Sequence, residues 1–185
     1  MPSGESLRGF KAVFERALEA YNVPYGLHFV ALRYFNAAGC DDRGEIGELH
    51  EPETHLIPSA LQALTGARPE LELYGTDYAI PDGTCIRDYI HVTDLAEAHV
   101  LALKHLANAG NSVALNLGTG RGSSVKEVLV PKRMASRRAG DPPALVADPT
   151  RAQNLLQWKA TRSLEEIVRT AGQWMQCVGP ATLCK

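Results

Sequence analysis

The most constraining stretch of the chain is Leu27-His28-Phe29-Val30-Ala31-Leu32, so dense in apolar side chains that a strand there has no face to offer water. Such a strand belongs inside a parallel sheet covered by helices, because a strand with one wet face alternates polar and apolar positions. It follows Phe10, Val13, Phe14, Ala17, Leu18 and Tyr21, whose spacings of three and four residues draw one stripe along a helix. Pro24 and Gly26 then interrupt that helix. Helix and buried strand in alternation predict an α/β fold.

The alternation continues. Leu56, Ile57, Ala60, Leu61 and Leu64 predict a second helix, with Gly66 placed to end it. Residues 71–74 and 86–92 read as strands, with a turn-rich segment at 79–84 between them. Asp94 and Glu97 have capping-box spacing and open a helix through Leu95, Ala98, Leu101, Ala102 and His105. A strand at 112–117 comes next, then a helix start at Ser124 and Glu127 that Pro131 limits to about two turns. Leu155 and Trp158 mark a short amphipathic piece, and Ser163 with Glu166 caps a last helix through Leu164, Ile167, Val168, Ala171 and Trp174. Between Asn36 and Thr54 lies a long loop without periodicity, of the kind that is functional or mobile. Few other strands are apolar enough to flank residues 30–32, so the expected sheet is part of a larger one.

Composition excludes several classes. The 185 residues suit one domain, or one domain plus a fragment of another, and make a core without metal or disulfide staples. Nineteen basic against 21 acidic side chains leave no positive excess for a phosphate backbone, so nucleic acid is not an expected partner. No apolar run approaches the roughly 18 residues of a membrane span. The first six residues are too polar to open a signal peptide, so no membrane and a cytoplasmic location are expected. Cys40, Cys85, Cys177 and Cys184 form no Cys-x-x-Cys pair and read as reduced thiols.

Four constellations could carry chemistry. Gly118-Thr119-Gly120-Arg121-Gly122-Ser123 sits between a strand and a helix, yet Ser123 holds the third glycine position of a dinucleotide loop, and no acidic strand end follows about 20 residues on. It reads as a tight turn that presents backbone amides to an anion. Arg87 and Arg138 each offer a planar fork that matches phosphate, and two such forks clamp a pyrophosphate; the competing reading of Arg87 is an ion pair with its neighbour Asp88. His91 and Asp94 are spaced like an acid–base pair and read as capping and packing residues. His50 and His55 flank acidic residues, but nothing in their spacing fixes a coordination geometry, so no metal is expected.

Two runs carry a resemblance: Leu32-Arg33-Tyr34-Phe35-Asn36-Ala37-Ala38-Gly39, and the stretch from Tyr74 to Ala96 that contains Pro81-Asp82-Gly83-Thr84-Cys85-Ile86-Arg87-Asp88-Tyr89-Ile90-His91-Val92. They resemble the UDP-glucose 4-epimerases. Residues 116–120, 137–143 and 147–149 continue the likeness in the family's order, over roughly positions 10 to 175. The resemblance implies an α/β chain corresponding to the C-terminal part of an NAD(P)-binding Rossmann-type extended short-chain dehydrogenase fold, with its small mixed α/β substrate domain. Residues 1–38 would then be a remnant of the NAD-binding domain, 39–176 the UDP-sugar domain with returning Rossmann elements, and 177–185 an unmatched tail.

The same resemblance assigns roles. Arg87 and Arg138 would contact the UDP pyrophosphate, and Asp141 would accept from the uridine ribose hydroxyls. Glu72 and Tyr74 fall on the segment lining the uracil, and His55, Leu56 and Val125 on neighbouring contact positions. Asn36 would hold the phosphate side, Phe35 would approach the nicotinamide, and Leu145 matches a position that gates the sugar pocket. Lys11 aligns with the lysine that orients the catalytic tyrosine and touches NAD, but Leu7 then holds the tyrosine position. If Pro2-Ser3-Gly4-Glu5-Ser6 is matched to the tyrosine motif instead, Ser3 replaces the tyrosine and Leu7 the lysine. The glycine-rich NAD loop is also absent from these residues. The expectation is a UDP-glucose/UDP-galactose 4-epimerase-like chain of galactose metabolism, inactive alone, with NAD as the family's cofactor. Its expected partners are a second copy in a homodimer or a chain supplying the missing Rossmann half. A non-catalytic UDP-sugar-binding remnant and a nucleotide-sugar decarboxylase or dehydratase are the alternatives.

Overall fold

The structure, a computed structural model, describes residues 4–128, 133–137 and 140–182. In chain order the elements are α1 (Gly4–Tyr25), β1 (Val30–Arg33), β2 (Asn36–Ala38), α2 (Leu56–Leu64), β3 (Glu72–Tyr74), β4 (Ile86–Arg87), β5 (Tyr89–His91) and α3 (Val92–Ala107). β6 (Val113–Asn116), β7 (Ser123–Ser124), α4 (Val125–Val128), β8 (Arg133–Ala135), β9 (Ala144–Leu145), α5 (Thr150–Leu156) and α6 (Leu164–Thr182) follow.

Among the described residues the strands form four small sheets. β1 pairs with β6 in parallel, Val30 opposite Val113, and α3 packs on the pair. β2 lies parallel to β5, and β3 parallel to β8. β4 sits between antiparallel β7 and parallel β9. The expectation that residues 27–32 are buried on both faces is corrected here. β1 spans Val30–Arg33 and is only half-buried, because β6 is its one neighbour among the described residues. The stripe on α1 is likewise left outward: Val13 and Tyr21 are exposed, as are Val23 and Tyr25 beyond them. α1 is tied down at its end, where Asn22 donates to Leu27 O and Ser112 Oγ, both at 2.7 Å.

Three apolar clusters hold the chain together. One gathers Ile90, Leu95, Ala98, Leu115, Leu117, Ala152 and Trp158 between α3, the β1–β6 pair and α5. A second joins Leu71, Leu73, Tyr78, Cys85 and Val125, and a third Cys40, Ile57, Tyr89, Ile167 and Ala171; Leu56 of α2 packs against both.

Two helix starts follow from their sequence signature. At α6 the Ser163 amide donates to Glu166 Oε2 (2.7 Å) and the Glu166 amide to Ser163 Oγ (3.2 Å); Ser124 and Glu127 make the same reciprocal pair at α4. α3 departs from its expected start. Its N-cap is His91, whose Nδ1 accepts from the Thr93 amide at 3.1 Å. Asp94 lies inside the first turn, fully buried, and its carboxylate accepts from the Thr161 and Arg162 amides and the Arg162 guanidinium. Glu97 cannot complete a box with a residue that is not the cap, and its carboxylate meets Arg162 instead.

Candidate functional site

A cleft of about 1570 Å³ opens between the β2 end, the start of α2, β3, β4 and the middle of α6. β3 supplies one wall by simple alternation: Leu73 points into the second cluster, so Glu72 and Tyr74 face the other way into the cleft. The Tyr74 hydroxyl donates to Glu72 Oε2 at 2.6 Å. A phenol and a carboxylate side by side present an aromatic face and a row of acceptors.

Arg87 comes from β4 and is buried, with 8% of its surface exposed. Parallel pairing with β9 brings the chain before Ala144 alongside it, and Asp141 there forms a close ion pair with Arg87 Nη2. Nη1 donates to Ile86 O (2.7 Å) and Pro142 O (3.0 Å). Among the described residues these bonds use three of the five guanidinium N–H groups and leave Nε–H and one Nη2–H for an incoming anion. Asp141 also accepts from the Tyr78 hydroxyl at 3.4 Å, and the Arg137 guanidinium lies 3.8 Å from the centre of the Tyr78 ring. Burial first, then the Asp141 carboxylate, pushes the Tyr78 hydroxyl up, so it stays a donor at neutral pH.

Asp88 is not the partner of Arg87. On an extended chain adjacent side chains point apart. The Asp88 carboxylate instead accepts from the Thr119 amide (3.0 Å), the Thr119 hydroxyl (2.7 Å), the Gly120 amide (3.3 Å) and the Ala147 amide (3.2 Å). The anion for which the Gly118–Ser123 turn reads as a cradle is therefore the protein's own carboxylate. A Cβ on Gly118 would stand 2.5 Å from Asp88 Oδ2, which is why that position takes glycine. The backbone of Asp88 also works for the site: its amide donates to Leu145 O (3.0 Å), and its carbonyl accepts from Asn36 Nδ2 (3.0 Å).

Of the residues singled out in the sequence, Phe35, Asn36, His55, Leu56, Glu72, Tyr74, Arg87, Val125 and Asp141 all line this one cleft. Leu145 stands in β9 in register with Arg87 and is not among the lining residues. Lys11 is exposed on α1 and does not line it either. Arg138 lies outside the described residues. His91 is buried at the head of α3, with Nε2 3.0 Å from Thr170 Oγ1, a packing position rather than half of an acid–base pair in the cleft. Sequence reading missed Cys40, Trp174 and Met175, which line the cleft from the 36–54 loop and α6. The apolar stripe on the last helix marks Trp174 as buried but carries no sign of what it faces. Burial pushes the Cys40 and Cys85 thiols up, so neither lining cysteine is a ready nucleophile.

The strand-to-helix glycine turn does not fit a dinucleotide pyrophosphate: Asp88 already fills its Thr119 and Gly120 amides.

A half-buried parallel pair with a helix packed on it, joined to a small mixed sheet beside the cleft, makes the chain an α/β protein of Rossmann type. The chain matches the model of the NAD dependent epimerase/dehydratase family over residues 10–118 and belongs to that family. The UDP-glucose 4-epimerase of Rhizobium meliloti is 51% identical over 174 residues, which are 89% of this chain and 53% of that protein. The crystal structure of UDP-glucose 4-epimerase from Brucella ovis in complex with NAD is matched with a TM-score of 0.83 and 52% identity, over 93% of this chain and 54% of that one. The enzyme of the same name from Bifidobacterium longum, in complex with NAD+ and UDP, is matched with a TM-score of 0.79 and 34% identity, over 92% and 54%. The chain spans about half the length of the curated relatives it matches. Among the described residues no helix is long and apolar enough to cross a membrane.

Proposed function

We propose that this chain is the UDP-sugar-gripping half of a UDP-glucose 4-epimerase, binding UDP-glucose and UDP-galactose but unable to interconvert them by itself. The observation that carries the reading is the convergence of Arg87, Asp141, Glu72, Tyr74 and Asn36 on one cleft. Each has the chemistry that part of a nucleotide sugar requires. The two remaining N–H groups of Arg87 suit a diphosphate oxygen pair. Asp141 accepts from vicinal hydroxyls, as the ribose would offer, and Arg87 and Tyr78 hold it in place before the ligand arrives. Tyr74 and Glu72 offer a ring face and an acceptor to a base that carries an N–H. Binding strength drawn from the non-reacting nucleotide would keep the sugar tethered while it turns. Arg138 would complete the diphosphate clamp and Leu145 would shape the sugar end.

The hydride chemistry is NAD's when bound. In this chain the family's contacts to it reduce to Phe35 and Lys11, with leucine or serine at the position of the tyrosine base. Residues 1–38 are proposed as a Rossmann remnant and 39–176 as the substrate domain. The outward face of α1 and the half-buried β1 support assembly with a chain that covers them, either a second copy or one carrying an NAD-binding half.

Two measurements test this. Saturating UDP should raise the melting temperature: at about 100 times its dissociation constant it adds about 2.7 kcal/mol. UDP-galactose with NAD should give no UDP-glucose above an enzyme-free control. Turnover by the purified chain alone would overturn the inactive reading, and an unchanged melting temperature would overturn the binding one.

A further inference from the structure

At the rim of the cleft, where the 36–54 loop meets α2, three side chains converge: His50, Glu53 and His55, whose ligand atoms all lie within 4.8 Å of one another; Glu48 reaches one of them, His55. The two imidazole rings stand edge to face with centroids 5.1 Å apart. His55 Nδ1 lies 3.1 Å from Glu53 Oε1 and 3.1 Å from Glu48 Oε1. Two carboxylate oxygens therefore face a single ring nitrogen, which carries at most one proton. The Glu48 and Glu53 carboxylates bring two negative charges to that ring.

The spacing is close enough for all three side chains to reach one ion. Tetrahedral donors at about 2.0–2.1 Å from zinc stand about 3.3 Å from one another, close to the separations measured from His55 Nδ1. Backbone groups already orient the donors. His50 Nδ1 is 2.9 Å from Pro52 O; a carbonyl only accepts, so that nitrogen holds the proton and Nε2 carries the open lone pair. The His55 amide donates to Glu53 Oε1 at 2.7 Å and fixes a carboxylate whose side chain is only 7% exposed. His55 is the N-cap residue of α2, yet its imidazole makes no capping bond, so the ring is not engaged by the helix.

We infer that His50, Glu53 and His55 bind a divalent transition metal of the zinc class, with the Glu48 carboxylate beside His55. Two imidazole nitrogens with carboxylate oxygens select zinc, cobalt or nickel over magnesium or calcium. The ion replaces the proton on His55 Nδ1, neutralises the paired carboxylates and clamps the 36–54 loop to the start of α2. This site stands on its own geometry and does not depend on the nucleotide-sugar reading.

The test uses the full chain without an affinity tag, stripped of metal by a chelator, and titrated with zinc chloride by calorimetry and with cobalt chloride by visible absorption. Saturable single-site uptake is expected, with a tetrahedral d–d band and no thiolate charge-transfer band. His50→Ala and Glu53→Gln, both confirmed folded by their melts, should each weaken uptake by more than about tenfold, the range that loss of even an outer-sphere partner reaches. His28→Ala should bind as the native chain does, and magnesium should give no signal. Absence of saturable uptake overturns the site. So does uptake that survives unchanged in both variants, or that shows thiolate bands pointing to Cys177.

Discussion

Replacing Asp88 by alanine removes one carboxylate that three chain segments share. It is 2% exposed and accepts from the Thr119 and Gly120 amides of the glycine turn and the Ala147 amide beyond β9. Stranding a buried N–H costs about 1–3 kcal/mol. The Gly120 bond is the longest at 3.3 Å, and the Thr119 hydroxyl keeps a second acceptor in Arg121 O, so Thr119 and Ala147 amides dominate the loss. The sum is about 3–5 kcal/mol. At about 2–4 °C per kcal/mol for a chain of this size, the melting temperature should fall by about 10 °C. Circular dichroism melts of Asp88→Ala, with Asp88→Asn expected between it and the native chain, read this directly. Asp77→Asn, at a side chain 72% exposed, should stay within about 0.5 kcal/mol. If Asp88→Ala melts within about 2 °C of the native chain, the shared carboxylate does not hold β9 and Asp141 beside Arg87.

Three further outcomes follow from particular contacts. Burial holds the His91 imidazole below its ordinary value of 6.5, so the unfolded chain binds more protons as pH falls through that value. Stability by urea titration should therefore drop between pH 7.5 and pH 5, above the window in which carboxylates such as Glu15, held low by Arg33, lose theirs; His91→Gln should flatten that slope. A Cβ on Gly47 would lie 2.3 Å from the Trp174 ring, so Gly47→Ala should lower stability by about 1–3 kcal/mol and shift tryptophan emission. The outward Val13, Val23 and Tyr25 of the α1 region should make the chain elute from size exclusion above its monomer mass, and Val13→Glu with Val23→Glu should move it toward the monomer.

What the sequence shows of this molecule follows what is local. The Ser163–Glu166 and Ser124–Glu127 boxes, the apolar spacing of α2 and the alternation of β3 are short-range patterns, and each reappears in the structure at its expected place. Long-range partners are different. Asp94 looks like a cap from its neighbours in sequence, but Arg162, 68 residues away, claims its carboxylate. Arg87 and Asp88 look like a pair, yet strand alternation sends one to Asp141 and the other to Thr119. Arg87 stands out by its own chemistry, but the cleft around it is legible only through resemblance, since nothing in their spacing says that Asn36, Tyr74 and Asp141 meet. His50 and His55 stand out beside acidic residues, but a loop without periodicity gives no geometry until it is folded.

The most direct test of the nucleotide-sugar account is a calorimetric titration of UDP into the native chain and into Arg87→Ala. The account predicts saturable binding by the native chain that Arg87→Ala weakens by about 100-fold, the loss of a charge-assisted contact of about 3 kcal/mol. Equal heats in the two titrations, or none in the native chain, would contradict it.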